Sequence, residues 1–382
     1  MEIAQQIRES LRRARRVIIK VGTRLVTLPD GRLNNEFLGG LAAQVAELRG
    51  RGVQVLIVTS GAVHLGRRML RGRSGTSVSM RQAMAALGQP ELMRGYIAAL
   101  GRHGLLAAQL LLTAEDTIRR ERYLNARNTL EALLREGVVP VINENDSVSI
   151  EGVTVTFGEN DRLAALTAVT VRADAAVFLS DQPGLLTADP RVRSDGRLVP
   201  VVGPEDDVCD LAGDAGGPES TGGMAKKIEA ARLASSCGVV VVIADGRRED
   251  AVLRVLDGEE VGTLFIPSPV MDARKAWLAT TAQPSGTLVI DDGAVRALLN
   301  SDGASLLPVG VKEVRGEFER GDLVIIEGPE GHEIARGLTN YSAGDLRRIQ
   351  GHRTQNIERL LGRRGDDEVV HRDHMVITAN QR

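Results

Sequence analysis

Through the first two-thirds of the chain, short apolar runs rich in β-branched residues alternate with stretches of helical period. The apolar runs cover residues 17–21, 53–58, 138–142, 175–179 and 239–243, and each ends in a polar turn. The helical stretches cover residues 36–49, 119–135, 162–171 and 224–237. Continuously apolar strands alternating with helices predict an α/β fold with a mostly parallel sheet buried on both faces. In such sheets ligands bind beyond the carboxyl ends of the strands, so chemistry is expected in the turns that follow them.

The pattern changes at residues 265–284, where Pro267, Pro269 and Pro284 punctuate the chain. Beyond lie short strand-like pieces at 287–290, 322–326 and 333–335, separated by Gly and Asp. The expected organisation is a large domain over 1–268, a linker over 269–284, a small β-rich domain over 285–364 and a polar tail over 365–382.

Composition narrows the function. The 382 residues carry 48 basic and 50 acidic side chains, too even a balance for coating nucleic acid through bulk charge. Nine aromatics make no extended base-stacking platform. Two cysteines, Cys209 and Cys237, fit neither a disulfide framework nor a zinc site, which points to a reducing compartment, and the six histidines show no metal-ligand spacing. No apolar run approaches the roughly 20 residues that span a membrane, and the basic N-terminus (Arg8, Arg12, Arg13, Arg15, Arg16) is expected as a solvated first helix. Lysine is scarce: only Lys20, Lys226, Lys227, Lys275 and Lys312. Because a lysine is a compact point charge where arginine is a planar fork, each of the five invites a reason.

Six turns could carry chemistry. In Lys20-Val21-Gly22-Thr23 the glycine admits close backbone approach to a ligand, and Lys20 either covers a phosphoryl group or simply faces water. Thr59-Ser60-Gly61-Ala62 suits an anion at a helix start, or is an ordinary tight turn. Asn143-Glu144-Asn145-Asp146 is more polar than a capped loop needs, and Asp146 could take an amino acid's ammonium. Gly158-Glu159-Asn160-Asp161 opens a helix, where acids satisfy the dipole, yet Asp161 could also orient nearby lysines. Ser180-Asp181-Gln182-Pro183-Gly184, followed by residues 187–191, could frame a base and ribose or be a long surface loop. Thr221-Gly222-Gly223-Met224-Ala225-Lys226-Lys227 places two cations in a first helical turn, each opposing the dipole at a cost of about 0.3–1 kcal/mol. A bound anion, such as nucleotide phosphates, would remove that conflict. Neither the Walker A spacing nor G-x-G-x-x-G after the first strand is present, which excludes a P-loop or Rossmann enzyme.

Taken together, these turns resemble the amino acid kinase family. The matching segments are Ile19-Lys20-Val21-Gly22-Thr23, Ile57-Val58-Thr59-Ser60-Gly61-Ala62, Val139-Pro140-Val141-Ile142-Asn143-Glu144-Asn145-Asp146, Asn160-Asp161, Thr187-Ala188-Asp189-Pro190-Arg191 and Thr221-Gly222-Gly223-Met224, with Arg122-Tyr123-Leu124-Asn125-Ala126-Arg127. Residues 305–310 through Gly321-Asp322 resemble the PUA domain carried by the bacterial members that phosphorylate glutamate. The resemblance implies a three-layer αβα sandwich followed by a PUA pseudo-barrel. It implies ATP-dependent phosphorylation of the γ-carboxylate of L-glutamate to γ-glutamyl phosphate, the first step of proline synthesis from glutamate. Magnesium, proline feedback inhibition, homo-oligomerisation and a cytoplasmic location are further family expectations.

Carried over by motif, Lys20 contacts the transferring phosphoryl group, Asp161 organises the lysines, and Lys20, Asp161 and Lys227 are the catalytic set. Ser60, Asp146 and Asn160 bind glutamate. Ser180 and Asp181 contact the nucleotide, and Thr221, Gly222, Gly223, Met224, Ala225, Lys226 and Lys227 hold its phosphates; no side chain is assigned to a metal. Glu159 stands where the family usually has Asp, Ser180 where Thr is usual and Lys226 where Thr is common, and the alignment of motifs favours Lys227 over Lys226 at the phosphate. Related kinases act on N-acetylglutamate, aspartate or UMP; the PUA-like segment and the Asn143–Asp146 run favour glutamate. RNA binding through Arg347, Arg348, Arg353, Arg359, Arg363 and Arg364 is the rival of a different class, and a solvated helix face paired with acids is the preferred reading of those arginines.

Overall fold

The computed structural model describes residues 2–70, 77–113, 116, 120–148, 160–188, 195–206, 208, 223–268, 284–300, 304–363 and 365–378. The chain divides into two units, Met1–Val270 and Met271–Arg382.

The first unit begins with α1 (Glu2–Leu11), β1 (Arg16–Val21), the single turn α2 (Thr23–Val26), α3 (Asn35–Gly50), β2 (Gln54–Val58), α4 (Ala62–Met69) and α5 (Val78–Gly101). It continues with β3 (Ala107–Leu112), α6 (Arg120–Arg135), β4 (Val139–Glu144), α7 (Asn160–Thr170), β5 (Ala175–Ser180) and β6 (Val201–Val202). The last elements are α8 (Gly223–Ser236), β7 (Val240–Asp245), α9 (Ala251–Leu256) and β8 (Thr263–Phe265). The strands make one eight-stranded sheet in the order β3-β4-β2-β1-β5-β7-β8-β6. Every neighbouring pair is parallel except β7 with β8. This is the α/β fold that the alternation of apolar runs and helices predicts.

Successive side chains on a strand point to opposite faces. Val17, Ile19 and Val21 of β1 join the core that α1, α3, α5 and α9 fill on one face. Ile18 and Lys20 therefore face the other side, where α7 lies on β1 and α8 lies on α7. That parity is what sends the Lys20 side chain toward the starts of α7 and α8.

Two expectations are corrected here, and one element is added. β4 runs on through Asn143 and Glu144 instead of ending at 142, because these residues pair with Leu111 and Leu112 of β3. The first helix is not solvated throughout: Arg8 is buried, and its guanidinium donates to the carbonyls of Glu259 (3.0 Å) and Pro200 (3.1 Å). The apolar pattern also leaves α5 unpredicted. It crosses α4 so closely that a Cβ at Gly88 would lie 1.8 Å from the Ala62 carbonyl oxygen, and one at Gly66 1.8 Å from that of Met84.

The second unit comprises β9 (Gly286–Ile290), α10 (Asp292–Asn300), β10 (Val311–Gly316), β11 (Leu323–Glu327), β12 (Glu333–Thr339), α11 (Ala343–Ile349), α12 (Ile357–Leu361) and β13 (Val370–Ile377). Its sheet has the order β10-β9-β11-β12-β13, with Leu288, Ile290, Val324 and Ile326 in a core closed by Leu346 and Ile349. The stretch expected as a polar tail supplies β13: Val370, Met375 and Val376 are buried and the strand pairs with β12, whereas the intervening His371, Arg372, Asp373 and His374 masked that apolar contribution in the sequence. Residues 269–283 of the expected linker lie outside the described residues. Arg347 pairs with Glu317 (2.7 Å), Arg363 pairs with Asp345 (2.5 Å), and Arg348 donates to the carbonyl of Leu360. Those arginines are thus partly engaged within the unit, as a solvated, acid-paired face would have them. Among the described residues no helix is long and apolar enough to cross a membrane.

Candidate active site

The polar centre of the first unit lies at the carboxyl end of β1. Asp161 is the second residue of α7, 6% exposed, and it receives two ammonium groups from different elements. Lys20 Nζ stands 2.6 Å from Asp161 Oδ1, and Lys227 Nζ stands 3.1 Å from Oδ2. Lys227 also donates to the carbonyl of Gly223 at 3.2 Å, one helical turn earlier at the start of α8. It is therefore Lys227 that meets Asp161, while Lys226 precedes it in the same first turn, half-buried.

One carboxylate is shared by two ammonium groups, of which Lys20 is buried and Lys227 half-buried. Burial pushes Lys20 down to about 8; Asp161 opposes that fall and Lys227 adds to it. For Asp161, burial pushes upward, but the two lysines together outweigh it and hold the carboxyl below its usual range. Among the described residues, Asp161 is the carboxylate that meets both of these ammonium groups. Such an arrangement suits a ligand that brings several negative charges.

The proposed glutamate residues flank this centre. Thr59 at the end of β2 is fully buried; its N–H donates to the carbonyl of Ile142 (2.9 Å), and its hydroxyl meets Tyr96 Oη (2.9 Å). Ser60 follows, and Gly61 takes φ of 111°, a left-handed conformation that swings the chain into α4. Asn160 opens α7, and its Oδ1 accepts the N–H of Glu144 at 3.2 Å, which ties the start of α7 to the end of β4. Asp146 is half-buried; burial pushes its carboxyl up and Arg81 pulls it down. It lines a cavity of about 520 Å³ together with Ala62, Gln89, Arg94, Glu144 and Asn145. Lys20, Asp161 and Lys227 are not in its walls. Of the three residues expected to bind glutamate, Asp146 lines this cavity and Ser60 and Asn160 do not, and the lysine pair is a separate polar centre.

The motif reading missed an amide chain in the wall of that cavity. Asn143 Nδ2 donates to Gln89 Oε1 at 2.8 Å, and Gln89 Nε2 donates to Gln109 Oε1 at 3.4 Å. Asn143 and Gln89 are buried, so β4, α5 and β3 are joined by polar contacts where apolar ones are usual. The polarity of Asn143 was visible in the sequence; Gln89 carried no local signal, because its helix was not predicted.

On the other flank, Ser180 is buried at the end of β5 and accepts the N–H of Gln182 at 3.3 Å. Asp181 follows, in an ion pair with Arg24 of α2 at 2.9 Å. Gly223, Met224 and Ala225 form the first turn of α8, whereas Thr221 and Gly222 lie outside the described residues, as do Gly158, Glu159 and 189–191.

Comparison with known proteins gives matches over nearly the whole length. Residues 15–245 match the amino acid kinase family, and residues 286–361 match the PUA domain. A protein of Trichlorobacter lovleyi named glutamate 5-kinase is 45% identical over 370 residues, covering 96% of this chain and 98% of its own length. Proteins of the same name from Chromohalobacter salexigens and Azoarcus sp. are each 47% identical and cover 97% of this chain, and 98% and 100% of their own lengths.

Proposed function

Because the chain belongs to the amino acid kinase family, among the glutamate 5-kinases that carry a PUA domain, we propose that Lys20, Asp161 and Lys227 form the centre at which ATP phosphorylates the γ-carboxylate of L-glutamate. The product is γ-glutamyl phosphate, the first intermediate between glutamate and proline. The observation that carries the assignment of the centre is the shared carboxylate, with Lys20 at 2.6 Å and Lys227 at 3.1 Å from Asp161.

The chemistry asks little of a base. A γ-carboxylate with an ordinary pKa of about 4.3 is ionised at neutral pH and attacks without losing a proton. Phosphoryl transfer then depends on positioning and on stabilising charge at the transferring group. Lys20 approaches from the strand end and Lys227 from the first turn of α8. Asp161 pairs with both ammonium groups and opposes the burial that lowers Lys20. Asp146 takes the substrate's ammonium. With its Oδ1 occupied by the Glu144 N–H, Asn160 presents its Nδ2 donors to the substrate, and Ser60 adds a hydroxyl.

Ser180 and Asp181 hold the nucleotide, and residues 221–227 cradle its phosphates. A magnesium ion would supply charge neutralisation at the nucleotide's phosphates, and Asp161, shared by two lysines, is not assigned to hold it. Proline feedback inhibition, self-assembly and a cytoplasmic location belong to the same family reading; RNA binding by the second unit is not favoured, and the pairing of Arg347 and Arg363 with its own acids supports that preference.

The test is turnover of ATP with L-glutamate, N-acetylglutamate, aspartate and UMP in the presence of hydroxylamine. A hydroxamate is expected with L-glutamate, and UMP gives none because no acyl phosphate forms. Turnover confined to one of the other three substrates would overturn the reading.

A further inference from the structure

Asp181 is held at both oxygens. Oδ2 is ion-paired with Arg24 Nη1 at 2.9 Å, and Oδ1 faces the hydroxyl of Ser180 at 3.5 Å. Arg24 stands in α2, directly after the Lys20–Thr23 turn, and Asp181 directly follows β5. The two strands are parallel neighbours, with Lys20 opposite Phe178 and Val21 opposite Leu179, so the pair bridges the two central strand ends.

The next cation along this rim is already committed. Arg247 binds Asp245, at the end of β7, through Nε (2.9 Å) and Nη2 (2.8 Å). Among the described residues Arg24 is thus the side chain that ion-pairs with Asp181. The Arg24 side chain is 75% exposed and that of Asp181 29%. An ion pair so exposed contributes little to folding. Its position, across the turn before α2 and the turn after β5, gives it a different use.

We infer that Arg24 is a positioning residue for the nucleotide: it fixes the carboxylate of Asp181 in the orientation that accepts a hydroxyl or N–H of the nucleotide. The inference rests on the nucleotide role proposed for Asp181. It ties nucleotide affinity to the same turn that carries Lys20, and it places no part of Arg24 at the reacting atoms.

The test is steady-state kinetics of Arg24→Ala, Arg24→Lys, Asp181→Asn and the Arg24→Ala/Asp181→Asn double variant in the full chain. Arg24→Ala is expected to raise KM for ATP about tenfold, the scale of a lost charge-assisted hydrogen bond. The kcat and the KM for glutamate should stay near wild type, and Arg24→Lys should restore part of the loss. The double variant should be no worse than Asp181→Asn alone, because Arg24 acts through Asp181. An unchanged KM for ATP in Arg24→Ala, or effects that simply multiply in the double variant, would overturn the inference. If Asp181→Asn itself leaves KM for ATP unchanged, the nucleotide role of Asp181 fails first and the inference falls with it. A purely structural role would instead lower thermal stability and disturb both substrates alike.

Discussion

Lys20→Ala is expected to lower kcat by about 10²–10³-fold, the cost of removing one preorganised charge from a transferring centre, while KM for glutamate stays near wild type. Lys20 lies on the α7 side of β1, 4% exposed, where water does not replace it. In the proposed site its charge acts on the transferring phosphoryl group, and the amino acid is assigned to other residues, Ser60, Asp146 and Asn160. The pH profile supplies a second signature. With burial setting Lys20 at about 8, kcat/KM for ATP should fall as pH rises through that value, because the ammonium is lost. Bound phosphates stabilise the ammonium, so the corresponding fall in kcat should come at higher pH. Both declines should vanish in the residual activity of Lys20→Ala. Near-normal turnover in that variant would remove Lys20 from the centre.

Asp161→Asn carries the second large effect, on folding as well as on rate. Removing one member of a buried ion pair typically costs about 3–5 kcal/mol, since the remaining charge stays buried without compensation. Here two ammonium groups lose one shared partner. Part of that cost is relieved when Lys20 gives up its proton, and the neutral amine then fails at the phosphoryl group. The sign follows from linkage. Folding already lowers Lys20 from about 10.4 in the unfolded chain to about 8, and without Asp161 it falls further. Between the folded and unfolded values the unfolded chain binds more protons, so stability rises with pH, and in the variant this window opens at lower pH. Denaturant midpoints measured between neutral and alkaline pH should therefore rise more steeply for Asp161→Asn than for wild type. Equal midpoints at neutral pH with full activity would show that Asp161 does not hold the lysines.

Much of this was readable along the chain, and for physical reasons. The parallel sheet was legible because strands buried on both faces are continuously apolar, as in residues 53–58 and 239–243. The lysine pair was legible because lysine is scarce and because Lys226 and Lys227 defy the helix dipole. Which of the two reaches Asp161 was a matter of helix register: α8 starts at Gly223, and Lys227 returns one turn later to that residue's carbonyl.

The α5 wall of the cavity was hidden. That helix is buried against α4 through glycines and carries Pro90 within it, so its apolar residues form no single stripe. Gln89 and its amide chain were hidden with it. Arg24 gave no signal either, because an exposed arginine in a chain rich in arginine acquires meaning only from the carboxylate across the sheet. β13 was obscured by its charged and histidine-containing middle, in which Arg372 and Asp373 are exposed and His371 and His374 half-buried.

The most direct test of the central claim, that a carboxylate oxygen of glutamate attacks ATP at this centre, uses L-glutamate carrying ¹⁸O in both oxygens of its γ-carboxylate. In γ-glutamyl phosphate the bridging oxygen comes from the carboxylate, and hydroxylamine then breaks the carbon–oxygen bond and releases that oxygen with the phosphate. Mass spectrometry of the released phosphate should find one ¹⁸O in every phosphate formed together with hydroxamate. Phosphate free of ¹⁸O at the same ATP turnover would mean that water or another group attacked, and would contradict the assignment.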